Sequence, residues 1–258
     1  MRFLLAPNVS VRWSRYAKSR YVQFGAKVPE VRVLAKPQRS YVHKHFGPRE
    51  RLDFLLQHHE WLPKIFSADY LNGFYGDGKP HSIALEGRKG EVYDLHIAAS
   101  TLTDTYREGE LTLHLERRSD RLWLSRLTFS FVTLDGGLAI VVGGIQGPAY
   151  GRKREVIDST RDIGGLRPKD AALLALRAMA LELKAPIHAI SDAYHPLQKQ
   201  QGILKHSDYD EYWLERGATS QGPYGFKFPE LEPQGPIANR RDQIKAQILA
   251  GARAWVSK

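Results

Sequence analysis

Apolar and polar positions change period twice along the chain, and the changes divide it into three stretches. The first 48 residues hold no sustained period and carry Pro7, Pro29, Pro37 and Pro48, so they predict an irregular N-terminal arm. Tyr16, Tyr21, Phe24 and Tyr41 would let parts of this arm lie on a folded body. In "PRERLDFLLQHHEWL", Leu52, Leu55, Leu56 and Leu62 then recur near helical spacing, with Pro48 where a helix begins. "GDGKP" at 76–80 reads as a turn.

The middle of the chain alternates with period two. "VYDLHIAAS", "ELTLHLERR" and "RLWLSRLTFSFV" predict strands joined at "RSD" and "REGE". "TLDGG" predicts a tight turn, and "LAIVVGGIQG" is apolar on both faces, as an interior strand must be. After residue 152 the period lengthens. "RKREVIDSTRDI" predicts a short helix, and "PKDAALLALRAMALEL" a buried one with Pro168 near its first turn. "PIHAISD" is a short strand, and a right-handed crossover sets it parallel to "LAIVVGG". "SDYDEYWLERG" predicts a helix, "QGPYGFKFPELEPQGP" a loop with one edge strand, and "NRRDQIKAQILAGARAW" a terminal helix. The expected fold class is α+β. A single domain over 49–258 runs an antiparallel meander into a strand–helix–strand crossover and a helical C-terminal tail.

Charge sharpens the division. The formal net charge is +10, and the first 51 residues hold twelve basic groups against two acidic ones. The remainder is neutral. Residues 1–48 are therefore expected to form a basic arm able to meet an anionic membrane surface or an acidic carrier protein. Trp13, Tyr16 and Tyr21 lie among arginines, a pattern suited to stacked bases, but a neutral remainder offers no broad basic face and sets nucleic acid aside. The absence of cysteine removes disulfides, thiolate metal sites and a cysteine nucleophile. No long apolar run or leader pattern is seen, so the expected location is the cytoplasm, with a peripheral association at the inner membrane.

Three polar groupings are candidates for chemistry. In "GGLRPK", Gly164 and Gly165 admit close backbone approach, and Arg167 and Lys169 add cations to the unpaired amides of a helix start, a setting for phosphate. In "GGIQGP", Gly143 and Gly144 open a strand end to a ligand and Gln146 supplies an amide. In "SDAYH", Tyr194 is placed to donate a proton and His195 to accept one, with Asp192 as its orienting or alternative base. Glycine-dependent turns and solvated cations account for the same residues without chemistry. Glu211 and Glu215 would face a cationic amine substrate. No metal site is expected, because the adjacent His58 and His59 point different ways on a helix.

"IQGP", "GLRPK", "SDAYH" and "SDYDEYWLERGA" follow one another in the order seen in the VirK/YbjX family, which the chain resembles over roughly residues 45–250. That family's strand-end motif usually has asparagine where Asp192 stands. The resemblance implies a bacterial protein linked to virulence and antimicrobial-peptide tolerance, acting near the envelope or on peptides. A second, architectural similarity is to the GCN5-related N-acyltransferases. It implies a cofactor arm beside the strand 138–144, a pyrophosphate at the turn 164–169 and an acid at Tyr194. Arg161 and Gly164 match that fold's phosphate loop, and Leu166 departs from it. Together these imply acyl or related group transfer from coenzyme A or another phosphopantetheine-type donor to a peptide or envelope amine. The alternative is a non-catalytic envelope-associated or carrier-binding protein.

Overall fold

The computed structural model describes residues 6–26, 29–76, 80–196 and 208–256. The expected turn at 76–80 falls largely outside them. Among the described residues eight strands form one sheet in the order β1-β2-β3-β4-β5-β6-β8-β7. β1 (His81–Glu86), β2 (Val92–Ala99), β3 (Leu111–Arg117), β4 (Leu122–Leu134) and β5 (Gly137–Gln146) make an antiparallel meander. The β4–β5 turn places Asp135 and Gly136 at φ of 52° and 80°, the two left-handed positions that an Asp-Gly hairpin supplies. β6 (Ile187–Ile190) then pairs in parallel with β5, as the crossover predicts. β7 (Thr219–Ser220) and β8 (Gly225–Lys227) complete the edge. β1 and β7 have no counterpart in the sequence reading. The mixed α+β class is as expected.

The largest departure lies at the N-terminus. The stretch read as irregular forms a 17-residue helix, α1 (Pro7–Gln23), whose Val9, Trp13, Ala17 and Tyr21 are buried. Their spacing of four makes one apolar stripe, obscured in the sequence by the arginines and lysine of the opposite face. Trp13 Nε1 donates to Val33 O at 2.9 Å, in the short helix α2 (Val31–Leu34). α1 packs against α3 (Pro48–Ile65), which lies on β4. Residues 6–26 and 29–48 therefore share one apolar core with the body, and that core runs from Val9 to Val256. Arg12, Arg15 and Lys18 remain exposed.

The other helices fix the far side of the chain. α4 (Ala68–Tyr75) adjoins β2, and α5 (Lys153–Asp162) precedes α6 (Pro168–Leu183). α6 packs on β3, β4 and β5, and α8 (Arg240–Ala254) packs on α6 and β1. α7 (Tyr209–Glu215) fills the space beside β6, where Trp213 Nε1 donates to Ile190 O at 3.1 Å. Among the described residues no helix is long and apolar enough to cross a membrane.

A buried ionic group docks the N-terminal segment. Lys36 Nζ and Tyr41 OH both donate to Glu110 Oε1, and His59 Nε2 lies 3.6 Å from Glu110 Oε2. Burial acts to raise the Glu110 carboxyl, but the Lys36 ammonium and the His59 imidazole outweigh it and hold the group below the carboxylate range. Removing either partner of such a pair leaves an uncompensated buried charge, at a cost of about 3–5 kcal/mol. In urea unfolding, Glu110→Gln and Lys36→Met are each expected to lose stability on that scale, and the double variant to lose less than their sum. Strict additivity would show that the two side chains are not coupled.

Buried histidines set the acid limit of the fold. Burial, with His45 and Lys44 nearby, pushes His43 down to about 4, and burial with His59 holds His58 well below its usual value. Such a histidine binds its proton more readily in the unfolded chain, whose value is about 6.5, so stability falls as pH drops from there toward the folded value. The urea midpoint is expected to decline steadily between pH 6.5 and 4. His43→Phe, stacking in the same slot against Phe46 and Tyr194, should make that decline shallower by up to one proton, about 1.4 kcal/mol per pH unit.

Candidate functional site

β5 and β6 pair at Ile140–Ile187, Val141–His188 and Val142–Ala189, and the ladder stops there, one residue before β6 ends at Ile190. At the same level β5 bulges. Thr128 pairs with Gly144 and Phe129 with Val142, which leaves Gly143 as the extra residue. Glu108 fills the space over the bulge. A Cβ on Gly143 would lie 1.7 Å from Glu108 O, and one on Gly144 would lie 2.5 Å from Glu108 Oε2. The two glycines thus admit a strand-crossing segment and its carboxylate, and the side of β5 that this segment covers is closed.

Glu108 is the hub of the site and was not foreseen, because "YREGEL" reads as an ordinary strand connection. It is 2% exposed. Gln146 Nε2 donates to Glu108 Oε1 at 2.9 Å, and His195 Nε2 lies 3.3 Å from the same oxygen. The Tyr209 phenol is held well above its usual value by burial, then by the charge of Glu108 and its hydrogen bond. The Tyr209 ring meets His195 edge-on with centroids 5.2 Å apart. Gln146 Oε1 in turn accepts from Arg126 at 3.2 Å, and Arg126 also donates to Thr103 O at 3.0 Å. The structure thus joins His195, Gln146, Gly143 and Gly144 from the sequence reading, and adds Glu108, Arg126 and Tyr209. Tyr209 reads as a packing aromatic in sequence, since only the fold turns its hydroxyl toward an acid.

The rest of "SDAYH" faces elsewhere. Tyr194 packs on His43 with the rings tilted by 34° and their centroids 4.8 Å apart, and its carbonyl accepts from Lys44 N at 2.8 Å. Asp192 Oδ2 accepts from the Tyr209 amide at 3.2 Å, which ties the strand end to the start of α7. The carboxylate beside His195 Nε2 is Glu108.

The basic turn forms a neighbouring cleft. Gly164 and Gly165 have φ of 75° and 84°, and Gly164 fits against the backbone of Arg241 at the head of α8. Arg167 occupies the N-cap of α6. A cleft of about 450 Å³ is lined by Gly147, Pro148, Arg161, Arg167, Lys169 and Tyr212 among others. It joins the end of β5 to the start of α6. Burial lowers the Lys169 ammonium, which lies 5.5 Å from the centre of the Tyr212 ring. Asp170 anchors this corner. It receives Arg216 at 2.7 and 3.2 Å and the Tyr212 hydroxyl at 2.9 Å. Glu215 pairs with Arg216 at 2.6 Å and lies 3.7 Å from Arg167, so it faces the protein's own cations, while Glu211 is exposed on the same helix.

The glycines separate two physical demands. Gly143→Ala is expected to yield insoluble or strongly destabilised protein, since the Glu108 backbone must move. Gly165→Ala has open space and meets only the left-handed backbone cost of about 1–2 kcal/mol. Equal melting temperatures for the two variants would contradict this assignment.

Comparison with known proteins agrees with the family resemblance and leaves the second likeness without support. The chain is 23% identical over 254 residues to the uncharacterized protein YbjX of Escherichia coli (strain K12), covering 96% of this chain and 76% of that protein. No solved structure matches it, and neither comparison points to an N-acyltransferase. The family model described as protein of unknown function (DUF535) matches residues 1–240, and the chain belongs to that family.

Proposed function

We propose that the protein transfers an acyl or related group from a phosphate-bearing carrier, such as coenzyme A or another phosphopantetheine-type donor, to an amine on a peptide or envelope component. The observation that supports this reading is that the β5–β6 ladder ends at Val142 and Ala189, where β5 bulges, near the cationic start of α6. A β8–β7 hairpin beyond the parallel pair also suits it. Phosphate would rest in the 450 Å³ cleft against Arg161, Arg167 and Lys169. The amine nitrogen would bond to the acyl carbon as the carrier's C–S bond breaks. The Glu108–His195 pair would take the proton lost by the amine and return it to the departing thiolate. Leu166, buried where the acyltransferase loop has a small residue, and the inserted α5 mark the differences from that fold.

A second reading is favoured by the outward face of α1. Arg12, Arg15 and Lys18 are exposed on a helix whose other face is fixed in the core, a rigid basic surface suited to an anionic membrane or an acidic carrier protein.

Thermal unfolding with and without coenzyme A, acyl-coenzyme A and inorganic polyphosphate separates the two. At one hundred times its dissociation constant a bound donor adds about 2.7 kcal/mol. Stabilisation by coenzyme A species alone, lost in Arg167→Ala and Lys169→Ala, is the expected result. Stabilisation by every polyanion that survives those changes and disappears on replacing Arg12, Arg15 and Lys18 by alanine would overturn the transfer reading in favour of the basic helix.

A further inference from the structure

A separate group of ligand-type side chains lies on β2 and β3. His96 stands directly across from His114 in the antiparallel ladder. Glu116 is two residues further along β3, so the pleat brings it to the same face. The two imidazoles stack with centroids 4.7 Å apart. One ring nitrogen from each and one Glu116 oxygen all lie within 4.8 Å of one another. His96, His114 and Glu116 are 9%, 5% and 3% exposed. Nδ1 of His96 and Nδ1 of His114 are buried and meet no hydrogen-bond partner among the described residues. A buried polar atom left in that state costs about 1–3 kcal/mol, and here two such atoms belong to rings stacked on each other.

We propose that His96, His114 and Glu116 bind a divalent first-row transition metal of the zinc class. Two imidazoles and one carboxylate make up the protein's share of an open tetrahedral site. Bonds of about 2.1 Å would bring the ligand atoms to roughly 3.4 Å from one another, a contraction within reach of side-chain rotation. The outer partners suit the role. Trp123 Nε1 donates to Glu116 Oε2 at 2.8 Å and holds the carboxylate in place. Arg121 Nε lies 2.8 Å from Glu116 Oε1, but its side chain is 78% exposed and free to swing into solvent when a cation arrives. Asp94, on the same strand face as His96, is occupied by a two-point bond from Arg118 at 2.6 and 2.8 Å. A hollow of about 380 Å³, lined by Leu102, Thr103, His114, Glu116, Arg121 and Trp123 among others, gives the ion an entry path and its fourth position a space for water.

The test uses full-length protein stripped by chelator and titrated with Co²⁺, then Zn²⁺. The expected result is visible d–d absorption that saturates at one equivalent and is displaced by Zn²⁺. His96→Gln/His114→Gln should bind at least about 100-fold more weakly and lose the band. In wild-type protein, ¹⁵N-histidine resonances of His96 and His114 should shift on Zn²⁺ addition while those of His43, His58 and His59 stay in place. This measurement stands even if the double variant fails to fold. No saturable band in the wild type, a band that survives in the double variant, or zinc-dependent shifts at the other histidines would each overturn the proposal.

Discussion

Two buried carboxylates, Glu108 and Glu110, straddle one glycine, and the shape of the molecule answers to them. Taking a carboxylate out of water costs several kcal/mol unless donors and cations meet it. Gly109 lies close on β4, where a Cβ would sit 2.9 Å from Phe129 O, so only a residue without a side chain lets the segment come this near the sheet. Glu110 is met by Lys36, Tyr41 and His59, and that requirement brings the N-terminal segment down onto the sheet. Glu108 is met by Gln146, His195 and Tyr209, and that requirement brings β5, the end of β6 and α7 to one point.

The candidate site inherits its rigidity from this arrangement. Gly143 and Gly144 serve first as the floor on which Glu108 rests. Asp192 holds the Tyr209 amide and Asp170 holds Tyr212 and Arg216, so α7 is fixed at both ends beside the end of the β5–β6 ladder. The cations of the α6 start border this assembly and lie outside the buried cluster. On the proposed reading, the buried carboxylate–imidazole pair would serve the proton transfers and the accessible cationic cleft would hold the donor.

A polar layer continues across the sheet from that cluster. Arg126 links Gln146 to Thr103, and hydroxyls of Thr103, Thr105, Thr112 and Thr128 bond to one another at 2.8–3.3 Å. Thr103 also lines the hollow at His114 and Glu116. The hydrogen-bonded layer therefore runs from the Glu108 cluster to Thr103, which borders the histidine pair without bonding to it.

Periodicity, turn chemistry and crossover handedness determined β2 to β5 of the meander, the Asp-Gly hairpin, the crossover helix and the parallel strand, because these are local properties of the chain, while β1 escaped them. The sequence also marked Gly143, Gly144, Gln146 and His195, since glycines and polar groups at a strand end are unusual wherever they fall. Three matters were decided only by tertiary structure. The buried stripe of α1 was hidden because its charged face and flanking prolines dominate the sequence, and only packing against α3 shows which face is the inner one. The role of Glu108 was hidden because a carboxylate in a connection looks solvated until a β-bulge and two glycines bury it. The pairing of His96 with His114 was hidden because strand register, which no single strand encodes, sets them face to face.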